Sequence, residues 1–196
     1  MSYHIYSTEG IILKRTPTGE ANIFVHVLTR DLGLIIATAQ SARLSTSKLS
    51  SALTEYSLVT ISCIKGKRGW KITDARTLTH FYFSEETAHL TRTTFAQISF
   101  FLLKMIPGEE AHIEIFDIVR SGFEYLNITA LSDPKDFESV IVLRILYMLG
   151  YVIKNADTEM FLKEIITWNS DTLEEAKIRR QMLIYIINTG LNESHL

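Results

Sequence analysis

The sequence has one cysteine, no signal-peptide pattern and no long apolar run. Each of these features argues against a class of protein: disulfide-bonded, secreted or membrane-spanning. Cys63 cannot form a disulfide within the chain or complete a CxxC metal site. A chain without cysteine pairs fits a reducing compartment, so we expect a cytoplasmic protein. The N-terminal residues lack the basic-then-apolar order of a signal peptide. The most apolar stretch, residues 140–153, is too short to span a bilayer and contains Arg144, so we expect no membrane partner.

Motifs for catalysis and for cofactor binding are also missing. The sequence contains no GxSxG, Walker or GxGxxG motif. Its histidines do not stand at metal-ligand spacing with cysteine or with acidic residues, so we predict no metal site. The pairs Glu85-Glu86 and Glu109-Glu110 are interpreted as acids in the first turn of a helix, where the helix dipole favours them. We therefore predict no enzyme, no cofactor and no small-molecule substrate.

Charge is distributed unevenly along the chain, although the net charge is only -2. Residues 1–80 contain ten Lys/Arg and five Asp/Glu, a balance of +5, and residues 81–196 contain ten and seventeen, a balance of -7. Between Leu32 and Thr73 the only acidic residue is Glu55. This polarity predicts a polyanionic partner for the first half and a different function for the second.

The first 80 residues have the pattern of a β domain. We predict strands over residues 6–14, 22–30, 34–39, 54–64 and 70–78, separated by turn signals such as Thr16-Pro17-Thr18-Gly19. The polar connector 40–52 has room for one helical turn. Three strands, a connector and a final hairpin follow the order of a five-stranded OB-fold barrel. Another barrel topology fits the pattern almost as well.

Residues 81–196 change to the apolar period of helices. Ser84 is the expected N-cap of the first helix, which ends at Pro107-Gly108. Further helices are predicted over residues 109–126, 133–150 and 161–168, and Asp171 with Glu174 forms a capping-box pattern that opens a last helix ending near residue 188. The predicted fold class is α+β, with an OB-fold domain in residues 1–80 and an all-helical domain in residues 81–196.

The strongest local feature is the segment Lys65-Gly66-Lys67-Arg68-Gly69-Trp70-Lys71. Its cations attract phosphates, and its indole is able to stack on an unpaired base. In an OB-fold this segment is the loop between strands four and five, and Lys14 to Gly19 is the loop between strands one and two. Those two loops flank the usual oligonucleotide face of the fold. The alternative is a solvated hairpin tip with Trp70 in the core.

The candidate DNA-binding residues are the cations of these loops, of the connector and of the end of the second strand, together with one aromatic residue. They are Lys14, Arg15, Arg30, Arg43, Lys48, Lys65, Lys67, Arg68 and Trp70. In the helical half, four arginines are candidates for binding an acidic, hydrophobic peptide tail. They are Arg120, Arg144, Arg179 and Arg180. Ordinary ion pairs with the surplus of carboxylates are the simpler interpretation of these four.

A series of short motifs resembles RecO, the bacterial recombination mediator. The matching segments are Tyr6-x-Thr8-Glu9-Gly10-Ile11-Ile12-Leu13, Gly19-Glu20-Ala21, Leu28-Thr29-Arg30-Asp31-x-Gly33, Ala39-x-x-Ala42-Arg43, Ser47-Lys48-Leu49-x-x-Ala52-Leu53, Gly66-x-x-Gly69 and Asp74-Ala75. Farther on, Leu143 to Tyr151 is similar to the helical segment of that family that ends in Leu-Gly-Tyr. The match is dense over residues 5–80 and sparse afterwards.

The resemblance implies a non-catalytic role in DNA repair and recombination after DNA damage. Its OB-fold domain is expected to bind single- and double-stranded DNA and to promote single-stranded DNA annealing. The helical domain is expected to bind the C-terminal tail of single-stranded DNA-binding protein, and a RecR partner is expected to assist RecA loading. A protein-interaction scaffold that does not bind DNA and an RNA-binding OB-fold module stay open as alternatives.

The sequence departs from the family pattern in three ways. Many members have a four-cysteine zinc module after the Leu-Gly-Tyr segment, whereas residues 152–172 here contain no cysteine. Ser41 stands where glycine is common, and Glu55 stands where proline is common. The chain is also short for the family, so we expect a short member that lacks the zinc-binding cysteines.

Overall fold

The computed structural model describes residues 4–81, 88–129, 131 and 133–193. Contacts between Cα atoms divide the chain into two compact units. The first comprises the described residues of 1–82 together with 99–113, and the second comprises those of 83–98 together with 114–196. The boundary near residue 80 stays a prediction, and the predicted cap Ser84 with Glu85 and Glu86 lies outside the described residues.

Five strands form a closed barrel in the order β1-β2-β3-β5-β4. They are β1 (Ile5–Thr18), β2 (Asn22–Thr29), β3 (Gly33–Ala39), β4 (Ser57–Gly66) and β5 (Gly69–His80), and the short helix α1 (Lys48–Ala52) lies between β3 and β4. Neighbouring strands are antiparallel except β3 and β5, which are parallel. This order and connectivity define an OB-fold, so the predicted fold is confirmed.

The first strand is longer than predicted. Thr16 and Pro17 pair with Phe24 and Ile23 of β2, so the predicted four-residue turn signal belongs mostly to the strand. The chain reverses only after Thr18, where Gly19 adopts a φ of 57° that favours glycine.

Inward-facing aliphatic side chains fill the barrel. Val25, Val27, Ile35 and Ile61 are fully buried in one cluster, which also contains Trp70. Burial of a side chain of this size contributes about 1.5–3 kcal/mol to stability. Because successive side chains of a strand alternate between the two faces, the residues between these positions point outward.

Seven helices are described. After α1 they are α2 (Ala88–Met105), α3 (Ile113–Ile128), α4 (Lys135–Met148), α5 (Glu159–Leu162), α6 (Ser170–Ile178) and α7 (Arg180–Glu193). Among the described residues, no helix is both long and apolar enough to cross a membrane. The α+β class is confirmed.

The prediction of one last helix opened by Asp171 is wrong. The N-cap of α6 is Asn169, whose side-chain oxygen accepts a hydrogen bond from the backbone N–H of Thr172 at 2.8 Å. Asn169 has the extended backbone that an N-cap requires. The helix then ends at Arg179, where φ is -97° and ψ is 18°, and a separate helix follows.

The prediction of a helix starting at Glu109 is also wrong, because residues 108–112 form an irregular segment that belongs to the barrel unit. The backbone N–H of Leu34 donates to the carbonyl of Gly108 at 2.9 Å. Gly33 has a φ of 72°, and a Cβ added to it would lie 2.3 Å from the carbonyl oxygen of Glu110. We call residues 108–112 the barrel-edge segment.

Candidate nucleic-acid interface

An open groove of about 610 Å³ lies on the outer face of the barrel, beside the loop between β4 and β5. We call it the Phe24 groove. Its lining consists of outward-facing strand residues and of the loop itself. The lining residues are Phe24, Thr38, Gln40, Ile64, Gly66, Lys67, Arg68, Gly69, Trp70 and Lys71.

Strand register explains why these side chains meet. Phe24 of β2 pairs with Thr38 of β3, Thr38 pairs with Lys71 of β5, and Lys71 pairs with Ile64 of β4. Directly paired residues lie on the same face of a sheet, so this row of four residues crosses the groove. Phe24 points outward because its neighbours in β2 are buried in the barrel.

The groove has the charge that a phosphate chain requires. Lys67 and Arg68 are exposed at the tip of the β4–β5 hairpin, and Lys71 is half-buried on the adjacent strand. Among the described residues that line the groove, three are cationic and none is acidic. Phe24 has 40% of its surface exposed, which leaves its ring open to a stacking partner. The arrangement is suited to binding phosphates and an unstacked base together.

Trp70 does not offer a stacking surface. Its exposed fraction is 6%, and its ring contacts Tyr6 edge to face with centroids 5.2 Å apart inside the barrel core. The prediction that Trp70 stacks on a base is therefore wrong, because the inward face of β5 buries the indole. Its alternative, a tryptophan in the core, is what the structure has.

Lys65 is one of the predicted DNA-binding residues, but its side chain forms an ion pair with Glu109. Its ammonium lies 2.5 Å from the carboxylate of Glu109 and 5.4 Å from the centre of the Trp70 ring. The hydrogen bond from Lys65 lowers the pKa of the Glu109 carboxyl, partial burial opposes this, and the nearby indole N–H of Trp70 lowers it further. Among the described residues, this N–H has no partner at the distance and angle of a hydrogen bond. Lys65 is not among the residues that line the groove.

Three further predicted cations lie near the first turn and the connector. Arg43 donates from Nη1 to the carbonyl of Gly19 at 3.1 Å, which ties the connector to the β1–β2 turn. Arg15 is half-buried, and its backbone N–H donates to the carboxylate of Glu55 at 2.8 Å. Lys48 is exposed at the start of α1. None of the three lines the Phe24 groove.

The two remaining predicted cations also lie outside the groove lining. Arg30 follows the end of β2, and its backbone N–H donates to the carbonyl of Glu9 at 3.0 Å. Lys14 is exposed on β1 and pairs with His26. Burial and the charge of Lys14 lower the pKa of His26, so this histidine adds no positive charge at neutral pH. Of the eight predicted cations, the structure brings Lys67 and Arg68 into one groove.

Sequence reasoning missed Phe24 and Lys71. The signal for Phe24 was available, since side chains alternate along the predicted strand 22–30, which places the apolar residues Ile23 and Val25 on one face and Phe24 on the other. An outward aromatic residue on the second strand of an OB-fold is a candidate for stacking. Lys71 was counted as a charge but not placed, because its position depends on the parallel pairing of β3 with β5.

The four candidate arginines of the helical unit all have internal partners. Arg144 is 1% exposed, donates to the carbonyls of Phe161 and Thr167 at 2.9 Å each, and lies 4.3 Å over the ring of Trp168. Burial lowers its pKa to about 10, so it stays charged at neutral pH. The prediction that Arg144 binds a peptide tail is therefore wrong, because its guanidinium is enclosed.

The other three arginines form ion pairs within the helical unit. Arg120 lies 3.0 Å from the carboxylate of Glu124, and Arg179 pairs with Glu175. Arg180 lies 2.7 Å from Asp136 and 3.4 Å from Asp133, and the hydrogen bond and charge of Asp136 are the main causes that raise its pKa. These contacts match the simpler interpretation of ordinary ion pairing.

The described residues contain no cluster of histidine, cysteine and acidic side chains that is able to hold a metal ion. Burial raises the pKa of the Cys63 thiol to about 11. This thiol is therefore protonated at neutral pH and is a core residue rather than a nucleophile.

A family model and individual relatives both relate this chain to the same family of proteins. Residues 1–81 match the family described as "Recombination protein O N terminal". The chain is 32% identical over 152 residues to DNA repair protein RecO of Dehalococcoides mccartyi, covering 76% of this chain and 57% of the relative. It is 32% identical over 151 residues to DNA repair protein RecO of Thermodesulfovibrio yellowstonii, covering 75% and 58%. The chain thus spans between about half and three fifths of the length of these relatives.

Proposed function

By its N-terminal domain the chain belongs to the RecO family, and from this premise we propose that it binds DNA in repair and recombination without catalysing a reaction. The contact surface in this proposal is the Phe24 groove. Lys67, Arg68 and Lys71 bind backbone phosphates, and the ring of Phe24 stacks on an unpaired base. One observation carries the proposal: an exposed aromatic ring lies beside three cations, with no acid in the lining, on the outer face of an OB-fold barrel.

Binding of this kind does not depend on base sequence. Phosphate contacts position a nucleic acid but carry no sequence information, and stacking tolerates every base. Three phosphate contacts to a single strand correspond to a slope of about -2 in a plot of log affinity against log salt concentration. Double-stranded DNA supplies phosphates but no open base, so we expect it to bind more weakly than a single strand.

The partners proposed for the whole protein follow from the family alone. They are RecR, the C-terminal tail of single-stranded DNA-binding protein, and indirectly RecA, and the proposed activity is annealing of single strands. The ion pairs of Arg120, Arg179 and Arg180 give no support to a tail-binding surface at these residues.

Charge reversal at the hairpin tip tests the proposal. The change is the double variant Lys67→Glu/Arg68→Glu, measured by fluorescence anisotropy with a labelled oligothymidine strand at several salt concentrations. We expect weaker binding and a salt slope that is smaller in magnitude by about 1.4, because two phosphate contacts are lost. The matched control is Lys163→Glu/Lys177→Glu, which makes the same net charge change at exposed positions of the helical unit.

The outcomes separate the candidate functions. Equal losses in the two double variants would mean that only net charge matters and would remove the groove from the proposal. A wild-type protein that binds no nucleic acid supports the scaffold alternative. A clear preference for the corresponding RNA strand supports the RNA-binding alternative.

A further inference from the structure

We propose that a second unpaired base of the same DNA strand binds on Ile64 and Ile5, on the opposite side of Lys71 from Phe24. We call these two residues the isoleucine platform. The inference rests on the proposed DNA binding at the Phe24 groove. It extends that site from one base to two and makes it selective for a strand whose bases are not stacked on each other.

Strand register carries the outward row of the groove on to the first strand. The row runs from Phe24 through Thr38 and Lys71 to Ile64 of β4, and Ile64 pairs directly with Ile5 at the start of β1. Directly paired residues lie on the same face of a sheet, so Ile5 lies beside Ile64 on the outer face of the barrel. The row therefore has an aromatic ring at one end, two aliphatic side chains at the other and a cation between them.

The isoleucine platform is accessible to a ligand. Ile5 has 61% of its surface exposed, and Ile64 is half-buried and is one of the residues that line the groove. The neighbouring side chain of Tyr6 packs against the barrel core, so alternation along β1 turns Ile5 outward. Covering such aliphatic surface with the flat face of a base removes it from water, which favours binding.

The spacing of the two ends selects an unstacked strand. Phe24 and Ile64 are separated by three steps between neighbouring strands, and at about 4.8 Å per step this is about 14 Å along the sheet. Successive bases in a DNA duplex are only about 3.4 Å apart. Two bases that occupy both ends must therefore be separated from each other, and the Lys71 ammonium lies between them, where the phosphate chain that joins them passes.

Charges on the two sides of the row set the orientation of the strand. Lys67 and Arg68 are exposed at the hairpin tip on one side. On the other side, the next outward row consists of Ser7, Ser62 and Asp74, and the carboxylate of Asp74 disfavours a phosphate there. The phosphates are therefore favoured on the side of the hairpin tip, with the bases over Phe24 and the isoleucine platform.

The test compares Ile5→Thr with Ile36→Thr. Both variants replace an exposed isoleucine of the barrel by a residue that keeps the β-branched shape suited to a strand. Ile36 is 55% exposed but pairs with His26, outside the row. Covering roughly 40 Å² of aliphatic surface corresponds to about fivefold in affinity. Because threonine keeps one methyl group, we expect Ile5→Thr to weaken binding of a labelled oligothymidine strand about two- to fivefold, and Ile36→Thr to leave it unchanged.

An abasic strand of the same length separates base contacts from backbone contacts, since it has the sugars and phosphates but no bases. We expect Ile5→Thr to bind the abasic strand as tightly as the wild-type protein does. Ile5→Leu keeps the aliphatic surface and is expected to retain oligothymidine binding. Urea denaturation of each variant checks that the barrel is intact.

Three results would overturn the inference: unchanged oligothymidine binding by Ile5→Thr, an equal loss in Ile36→Thr, or an equal loss on the abasic strand. If one of them occurs while Lys67→Glu/Arg68→Glu weakens binding, the isoleucine platform fails and the proposed function stands. A wild-type chain that binds no DNA overturns both.

Discussion

Phe24 and Trp70 are expected to respond in different ways to truncation, although both residues line the same groove. The change that tests this is alanine substitution at each position in turn. Phe24 is 40% exposed and lies on the outer face of β2, whereas Trp70 is 6% exposed and fills the barrel. Loss of the Phe24 ring should reduce DNA binding, and loss of the Trp70 indole should reduce stability.

The magnitudes follow from these two environments. Truncating a buried tryptophan to alanine costs about 3–5 kcal/mol, because the cavity it leaves cannot fully close. Truncating Phe24 is expected to cost about 1–2 kcal/mol at most, because only part of its ring is buried. Stacking on an aromatic ring contributes about 1–3 kcal/mol per base, which corresponds to a loss of about 5- to 150-fold in affinity.

Two measurements on the same preparations separate these roles. Urea denaturation gives the free energy of unfolding, and fluorescence anisotropy with a labelled single strand gives the dissociation constant. The matched control for Phe24→Ala is Ile36→Ala, since Ile36 is also an exposed apolar residue on the outer face but does not line the groove. Phe24→Leu keeps the apolar surface and removes only the aromatic ring, so it should lose most of the same affinity.

Two results would refute this reasoning. If Phe24→Ala binds single-stranded DNA as tightly as the wild-type protein, the ring does not contact a base. If Ile36→Ala loses as much affinity as Phe24→Ala, the loss reflects general apolar surface and not stacking in the groove.

Three further experiments test the packing inside each of the two units. Arg144→Met should destabilise the chain by about 2–4 kcal/mol in urea denaturation, because the backbone carbonyls of Phe161 and Thr167 lose their donor and the first of these hydrogen bonds is buried; a change under about 0.5 kcal/mol would contradict this. Gly33→Ala should destabilise more than Gly19→Ala, since both have positive φ but only Gly33 is in contact with residues 108–112. Equal losses would mean that this contact does not stabilise the barrel. The Cys63 thiol should react with a thiol reagent at pH 8 only after unfolding, and rapid labelling of the native chain would show that it is not buried. Folding raises the pKa of the Cys63 thiol, so the protonated thiol favours the folded state. This contribution to stability is complete below pH 9.0 and is lost as the pH rises through about 11.

Local patterns were sufficient to predict the barrel. Alternation of buried and exposed side chains in β2 and the turn at Gly33 depend only on neighbouring residues, so the strands were accessible from the sequence. The choice between the OB-fold and another barrel topology was not, because it depends on which strands pair. Helix ends were less accessible. Asn169 and Asp171 are both good caps, and the choice between them depends on which residue takes an extended backbone.

The placement of charges and aromatic rings required the tertiary structure. Lys65 and Glu109 are separated by 44 positions in the sequence, and no local pattern indicates that they meet. The same holds for Arg144, whose acceptors lie 17 and 23 positions away. Periodicity determines which face of its own strand or helix a residue occupies. The identity of its partner depends on how the elements pack, because side-chain contacts form across distances that chain neighbours do not determine.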